Sequence, residues 1–367
     1  MAPLRPAGLL LTAALAASLS PPVCGGPSHL TRAPAADERV WPDREWPTAT
    51  PESQGLTADG LDALAVYARK YGGDPGCVIR HGRLVKEWGD PAARADVKSA
   101  TKGAVGTTLL GLAVDSGLVR LDDRARKHYP ALGAEKKENA AKGWLDRITV
   151  RQLATMTAGF DDGRPPRLVY EPGTRGIYSN DTANMLAELL TIRFGEDLRA
   201  VLKRKVMGPL GARDSEWAWR DNQFRAKTVN GLPSREFAAG LTITHRALAR
   251  IGYLYLREGN WKGKRILSRD FVRTATRPTD LPAPYPFYAL YWGSNGKGTF
   301  ADLPRDAFWA LGLGDSFVLV CPGLDVVAVR LGTGSVKSQL PGGERPEDWG
   351  KRVAGFGRLL RKAVREP

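Results

Sequence analysis

Cysteine and histidine are scarce in this sequence, with 3 and 4 among 367 residues. Three thiols cannot build the framework of a stapled scaffold, and no Cys-x-x-Cys knuckle is present. The histidines form no His-Glu-x-x-His, and no carboxylates gather at metal-ligand spacing, so no metal centre is expected. A Gly-x-Ser-x-Gly elbow is also missing, which excludes the α/β-hydrolase route to a serine nucleophile. Acidic residues are the other deficit: 39 Asp and Glu against 54 Lys and Arg give a formal net charge of +15. Such a balance invites a nucleic-acid reading, yet the basic residues are scattered and fit no DNA- or RNA-binding signature. The expectation is a basic protein with no nucleic-acid partner, drawn at most to anionic envelope polymers or lipid headgroups. Long apolar runs are lacking too. The stretch Ala7–Ala17 is too short for a comfortable membrane span, and nothing later is long and apolar enough to cross one.

That stretch, preceded by one arginine, reads instead as the h-region of a signal peptide over residues 1–20. The mature protein is then expected to be exported, periplasmic or extracellular. Cys24 raises a lipid anchor, but Pro21-Pro22-Val23 lacks the small residue expected just before a lipidated cysteine. Residues 21–50 are rich in Pro, Ala and charge without periodicity and read as a linker. Residues 51–367 are ample for one compound domain, with a mainly helical part over about 118–240.

What the sequence does contain is Ser99-Ala100-Thr101-Lys102 at the start of a segment rich in Ala, Leu and Val that ends at Gly117. Residues three apart share a helix face, so Ser99 and Lys102 project together. A serine hydroxyl becomes a useful nucleophile when a neighbour takes its proton, and a desolvated lysine can do so. The helix N-terminus adds positive potential where an oxyanion would form. Ser294-Asn295-Gly296-Lys297 satisfies the same spacing, but its Gly-rich surroundings predict a surface loop. A second element is Tyr178-Ser179-Asn180, held between Tyr170–Thr174 and an apolar helix. A tyrosine beside an ammonium loses its proton more readily and can shuttle it, while Asn180 can hold a substrate carbonyl.

Helical spacing of Leu61, Leu64, Ala65 and Ala68 behind a Thr57 cap predicts one helix. Another is predicted from Trp349, Val353, Phe356, Leu360 and Val364. Strands are predicted at 77–80 and 83–88 around a His81-Gly82 turn, and at 308–312, 316–320 and 326–331. Together these suggest an α+β fold with one antiparallel sheet assembled from both chain ends. The terminal helices would cover one face and the Ser99 helix the other. His81 is expected to be a solvated turn residue, and His245 a surface or packing residue.

The chain resembles the serine β-lactamase-like proteins: class C β-lactamases, penicillin-binding DD-peptidases and β-lactamase-fold esterases. The resemblance runs from about Pro51 to Leu331. It rests on Ser99–Lys102, Leu121-Asp122-Asp123, Ile148–Leu153, Glu171–Thr174, Tyr178–Asn180, Pro209-Leu210-Gly211 and Gly240-Leu241. It implies the β-lactamase/transpeptidase-like fold and a Ser99 acyl-enzyme, with Lys102 and Tyr178 handling the proton and no cofactor. The family's third motif, Lys- or His-x-Gly, matches Ala310-Leu311-Gly312, and Leu313 would supply an oxyanion N–H beside that of Ser99. Ala310 departs from the pattern by removing a cation or imidazole that helps bind a substrate carboxylate. An ester or small amide is therefore favoured as substrate. The alternatives are a true β-lactamase or D-Ala peptidase, or a non-catalytic cell-wall peptide sensor. In the family's sheet the first strand lies beside the last, so Cys77 and Cys321 are expected to be too far apart to bridge.

Overall fold

A computed structural model describes residues 39–332 and 349–365. The segment read as a signal peptide, Cys24 and most of the segment read as a linker lie outside the described residues. Residues 39–50, read as the linker's end, are packed against the body. Trp46 is buried, Tyr253 donates to the Val40 carbonyl, Arg250 donates to the Arg44 carbonyl, and Thr48 bridges to Leu84.

The principal sheet has six antiparallel strands: β1 (Gly73–Arg80), β2 (Arg83–Trp88), β3 (Gly293–Ser294), β4 (Phe308–Gly312), β5 (Ser316–Cys321) and β6 (Val326–Gly332), in the order β3-β4-β5-β6-β1-β2. The two chain ends meet where β1 pairs with β6, Cys77 opposite Val329. Cys321 lies on β5, one strand removed from β1, and both thiols are free and buried.

Alternation along the strands sorts the apolar residues onto two faces. Val78, Val85, Phe317, Leu319, Val326 and Ala328 pack with α1 (Ala58–Lys70) and the C-terminal helix Trp349–Ala363. Thr57 caps α1 by accepting from the Gly60 amide, as its sequence position predicts. On the opposite face lie Cys77, Ile79, Val318, Val320, Val327 and Val329. Most of that face is covered by the helix His245–Leu256, and not, as expected, by the Ser99 helix. Gly252 makes this possible: a Cβ there would sit 2.6 Å from Val318 and 2.8 Å from Val327. The Ser99 segment instead joins the sheet at its β4 edge. Its first turns widen into a π-helix, Lys102–Thr107, before the α-helix Thr108–Asp115. Gly103 lets it approach, since a Cβ would lie 2.8 Å from that of Ala310.

His81 is half-buried beside Gln54, and not simply solvated. His245 is wholly buried with Nε2 2.6 Å from Glu87 Oε1, a packing residue and not a surface one. Ser294 is also buried, because Gly293–Ser294 forms the edge strand β3 opposite Trp309 and Phe308. The surface-loop expectation failed there because two-residue strands carry no periodic signal.

Gly252→Ala tests the helix-on-sheet contact. Alanine is the better helix former by about 1 kcal/mol, but overpacking a rigid valine pair costs about 1–3 kcal/mol. Net destabilisation is expected, read as a lower urea midpoint with an unchanged m-value; a raised midpoint would refute the close packing.

Candidate active site

The turn before the π-helix is set by Asp96. Its Oδ1 accepts from the Lys98 amide at 2.9 Å and the Gly240 amide at 3.2 Å, while its Oδ2 accepts from Arg220 at 2.8 Å. Lys98, at φ 50°, occupies the left-handed region immediately before Ser99. That reversal delivers Ser99 to a helix start, with the Lys102 amide donating to the Ser99 carbonyl at 3.0 Å.

Lys102 is almost completely buried, and its Nζ lies 3.1 Å from Ser99 Oγ, 2.8 Å from Asn180 Oδ1 and 3.0 Å from the Ala238 carbonyl. Burial pulls its pKa down to about 7, against the opposing pull of the Asp162 and Glu236 carboxylates. Tyr178 hydrogen-bonds Ser99, and its ring centroid is 5.0 Å from Lys102 Nζ. Its own pKa is pushed up to about 12, chiefly by burial. The sequence argument expected an ammonium to make the tyrosine acidic. The structure reverses this, because the same desolvation that raises a phenol lowers an amine. At neutral pH the lysine is the group poised to change charge.

The helix Asn180–Phe194 begins beside these groups, and two side chains hold its start. Ser179 caps it by accepting from the Thr182 amide, while its hydroxyl donates to the Asp161 carbonyl at 3.0 Å. Asp162 accepts from the Asn180 amide at 2.7 Å and from Asn180 Nδ2 at 3.3 Å. With its nitrogen engaged there, Asn180 must turn its oxygen to Lys102. Sequence reasoning missed both Asp162 and Asp96; nothing in their local spacing distinguishes them from ordinary loop acids.

The third stretch is only partly brought to the site. A Cβ on Gly312 would lie 2.0 Å from the Val97 carbonyl and 3.0 Å from the Ser99 amide, so only glycine lets β4 lie against the serine turn. Leu311 lines the cavity above Ser99, and Leu313 follows, about half exposed. Ala310 is buried with its methyl against Gly103, outside the cavity lining. The cavity, open to solvent, is lined by Ser99, Lys102 and Tyr178 together with Tyr285, Phe287, Tyr288, Tyr291, Gly293, Trp309 and Leu311. The aromatic segment 285–291 had no motif to announce it. Among the described residues no group of His, Cys, Asp and Glu is placed to hold a metal ion, and no helix is long and apolar enough to cross a membrane.

The Asp162 contact yields a direct test. Because this carboxylate raises the lysine's pKa, Asp162→Asn is expected to lower it further. In selectively ¹³Cε-lysine-labelled protein the Lys102 signal should titrate near pH 7, and at a lower pH in the variant. A midpoint that stays put or rises would rule out this electrostatic role.

A comparison with known families and structures gives the family and the fold. The family model described as Beta-lactamase matches residues 63–347. An uncharacterized protein of Alkalihalophilus pseudofirmus is 22% identical over 253 residues, 64% of this chain and 72% of its own. A penicillin-binding protein homolog from Caulobacter crescentus superposes with a TM-score of 0.61 at 16% identity, covering 84% of this chain and 99% of its own. A family VIII carboxylesterase does so with a TM-score of 0.61 at 18% identity, covering 86% and 99%. With its α+β fold, its antiparallel sheet built from both chain ends and a family match across most of its length, this chain belongs to the beta-lactamase family of serine hydrolases.

Proposed function

We propose that this protein is an exported serine hydrolase that cleaves an ester or small amide through an acyl-enzyme on Ser99. The observation that carries the reading is the buried lysine 3.1 Å from the serine hydroxyl, with a pKa near 7. A neutral amine at that distance accepts the serine proton as Oγ attacks the substrate carbonyl. The Ser99 and Leu313 amides are the proposed oxyanion donors, consistent with Gly312 lying against the serine turn. Tyr178, protonated at neutral pH, passes a proton to the departing alcohol or amine and is reprotonated by the Lys102 ammonium that took the serine proton. Water then adds to the acyl-enzyme, the Ser99 ester bond breaks, and a carboxylic acid leaves. The net reaction consumes one substrate and one water. Asn180 is assigned to hold Lys102 and the substrate carbonyl. The apolar segment in residues 1–20 supports export.

An ester is favoured over a β-lactam or a D-Ala peptide because, among the described residues, the cavity lining offers no cation besides Lys102, which is already engaged by three acceptors. A carboxylate-bearing substrate would lack a charge-assisted contact of about 1.5–3 kcal/mol, roughly one to two decades in rate.

Two outcomes are expected. A fluorophosphonate probe should label Ser99 and not Ser294, and Ser99→Ala should lose both label and ester turnover by at least about a thousandfold; a label mapping to Ser294 would overturn the assignment. Sustained ester turnover is expected with poor cephalosporin turnover, whereas labelling without turnover would point to a sensor.

The pH profile supplies the second check. Ionised Lys102 cannot accept a proton, so kcat/KM should rise as pH increases through about 7 and then stay level until well above pH 9. A profile falling through pH 7 would contradict lysine as the base.

A further inference from the structure

The cavity around Ser99 is lined mostly by rings. Tyr178, Tyr285, Phe287, Tyr288, Tyr291 and Trp309 line one side of the cavity. They form a connected wall: Tyr178 lies 6.1 Å from Tyr285, Tyr285 stacks on Phe287 at 5.4 Å and 7°, and Phe287 meets Trp309 at 5.6 Å and 43°. Phe300 braces the far side, 5.6 Å from Phe287 and 5.7 Å from Trp309. The indole of Trp309 lies over the β3 backbone at Gly293, where a Cβ would be 2.4 Å from its Nε1. Cross-strand pairing sets that contact, since Gly293 is opposite Trp309. The wall is therefore preformed, and a ligand need not order it.

Resting on the acyl-enzyme reading above, we propose that the substrate is an uncharged ester carrying a single aromatic ring, which packs against this wall while its carbonyl reaches Ser99. Shape and electrostatics favour a ring over an alkyl chain. Ring faces and edges offer offset and edge-to-face partners to another ring, a gain beyond area burial that a flexible chain cannot collect and must offset against its own ordering entropy. Charge is disfavoured in both signs. A carboxylate meets tyrosine and tryptophan faces with no guanidinium among the lining residues. An ammonium group could use those faces, but Lys102 already lies over Tyr178 and, among the described residues, no carboxylate lines the cavity to balance a second cation.

The test compares kcat/KM by pH-stat titration for ethyl phenylacetate and 2-phenylethyl acetate with the alkyl esters ethyl hexanoate and hexyl acetate. These pairs place the ring on either side of the ester bond. The expected result is a preference of about tenfold for at least one ring ester over its alkyl counterpart. That ratio should shrink toward unity in Phe287→Leu, which removes a ring from the wall. It should also shrink in Gly293→Ala, whose methyl displaces the Trp309 indole; circular dichroism checks that both variants fold. Equal or faster turnover of the alkyl esters by a protein that still labels at Ser99 would overturn the ring assignment alone. Faster turnover of a trimethylammonium- or carboxylate-substituted phenylacetate than of the neutral ester would overturn the uncharged assignment. Absence of both labelling and ester turnover would overturn the acyl-enzyme reading and this inference with it.

Discussion

Burial of the Lys102 side chain is the constraint on which the rest of the site depends. An ammonium withdrawn from water is stable only if acceptors replace its hydration, and three converge here from different parts of the chain: Ser99, Asn180 and the Ala238 carbonyl. They do not fully compensate, and the amine is left near a pKa of 7. That incompleteness has a thermodynamic consequence. Between about pH 7 and 10.4 the unfolded chain binds a proton that the folded protein gives up, so stability from this group rises with pH across that window and falls as pH drops. The cost at neutral pH is of the order of several kcal/mol.

The scaffold meets that requirement with close approaches at glycines. Gly103 admits the π-helix to the β4 edge, Gly312 admits β4 to the serine turn, and Gly293 admits Trp309 to the edge strand. Each sits where a Cβ would be 3.0 Å or less from a neighbour, so a side chain at any of them would separate elements that the site needs together. The π-helix at Lys102–Thr107 belongs to the same arrangement. Its wider turns redirect the segment after Lys102, and the Thr107 hydroxyl donates to the Leu290 carbonyl, tying it to the aromatic segment.

Charge placement shows a similar division of labour. The Asp96 carboxylate with Arg220 fixes the turn ahead of Ser99, while that of Asp162 holds the start of the Asn180 helix. These carboxylates sit outside the cavity lining, where they orient groups without offering a charge to a ligand. Among the described residues the cavity is lined by one titratable amine, the Ser99 and tyrosine hydroxyls, and ring faces.

Much of this was legible in the sequence because it is encoded locally. Strand alternation, the Thr57 cap, the helix-start serine with its lysine one turn on, and Tyr178-Ser179-Asn180 are short-range patterns, and the structure places the serine, lysine, tyrosine and asparagine side by side. The separation of Cys77 from Cys321 followed from the strand order that the family resemblance implied. Other features needed the tertiary structure. Which helix covers the inner face, the burial of Ser294, the packing of Ala310 against Gly103 and the aromatic wall all depend on contacts between residues far apart in the chain. The direction of the two pKa shifts belongs with them. A motif names a lysine and a tyrosine, but only the amount of protein folded over them decides which stays neutral, because desolvation is a property of the surroundings and not of the residue.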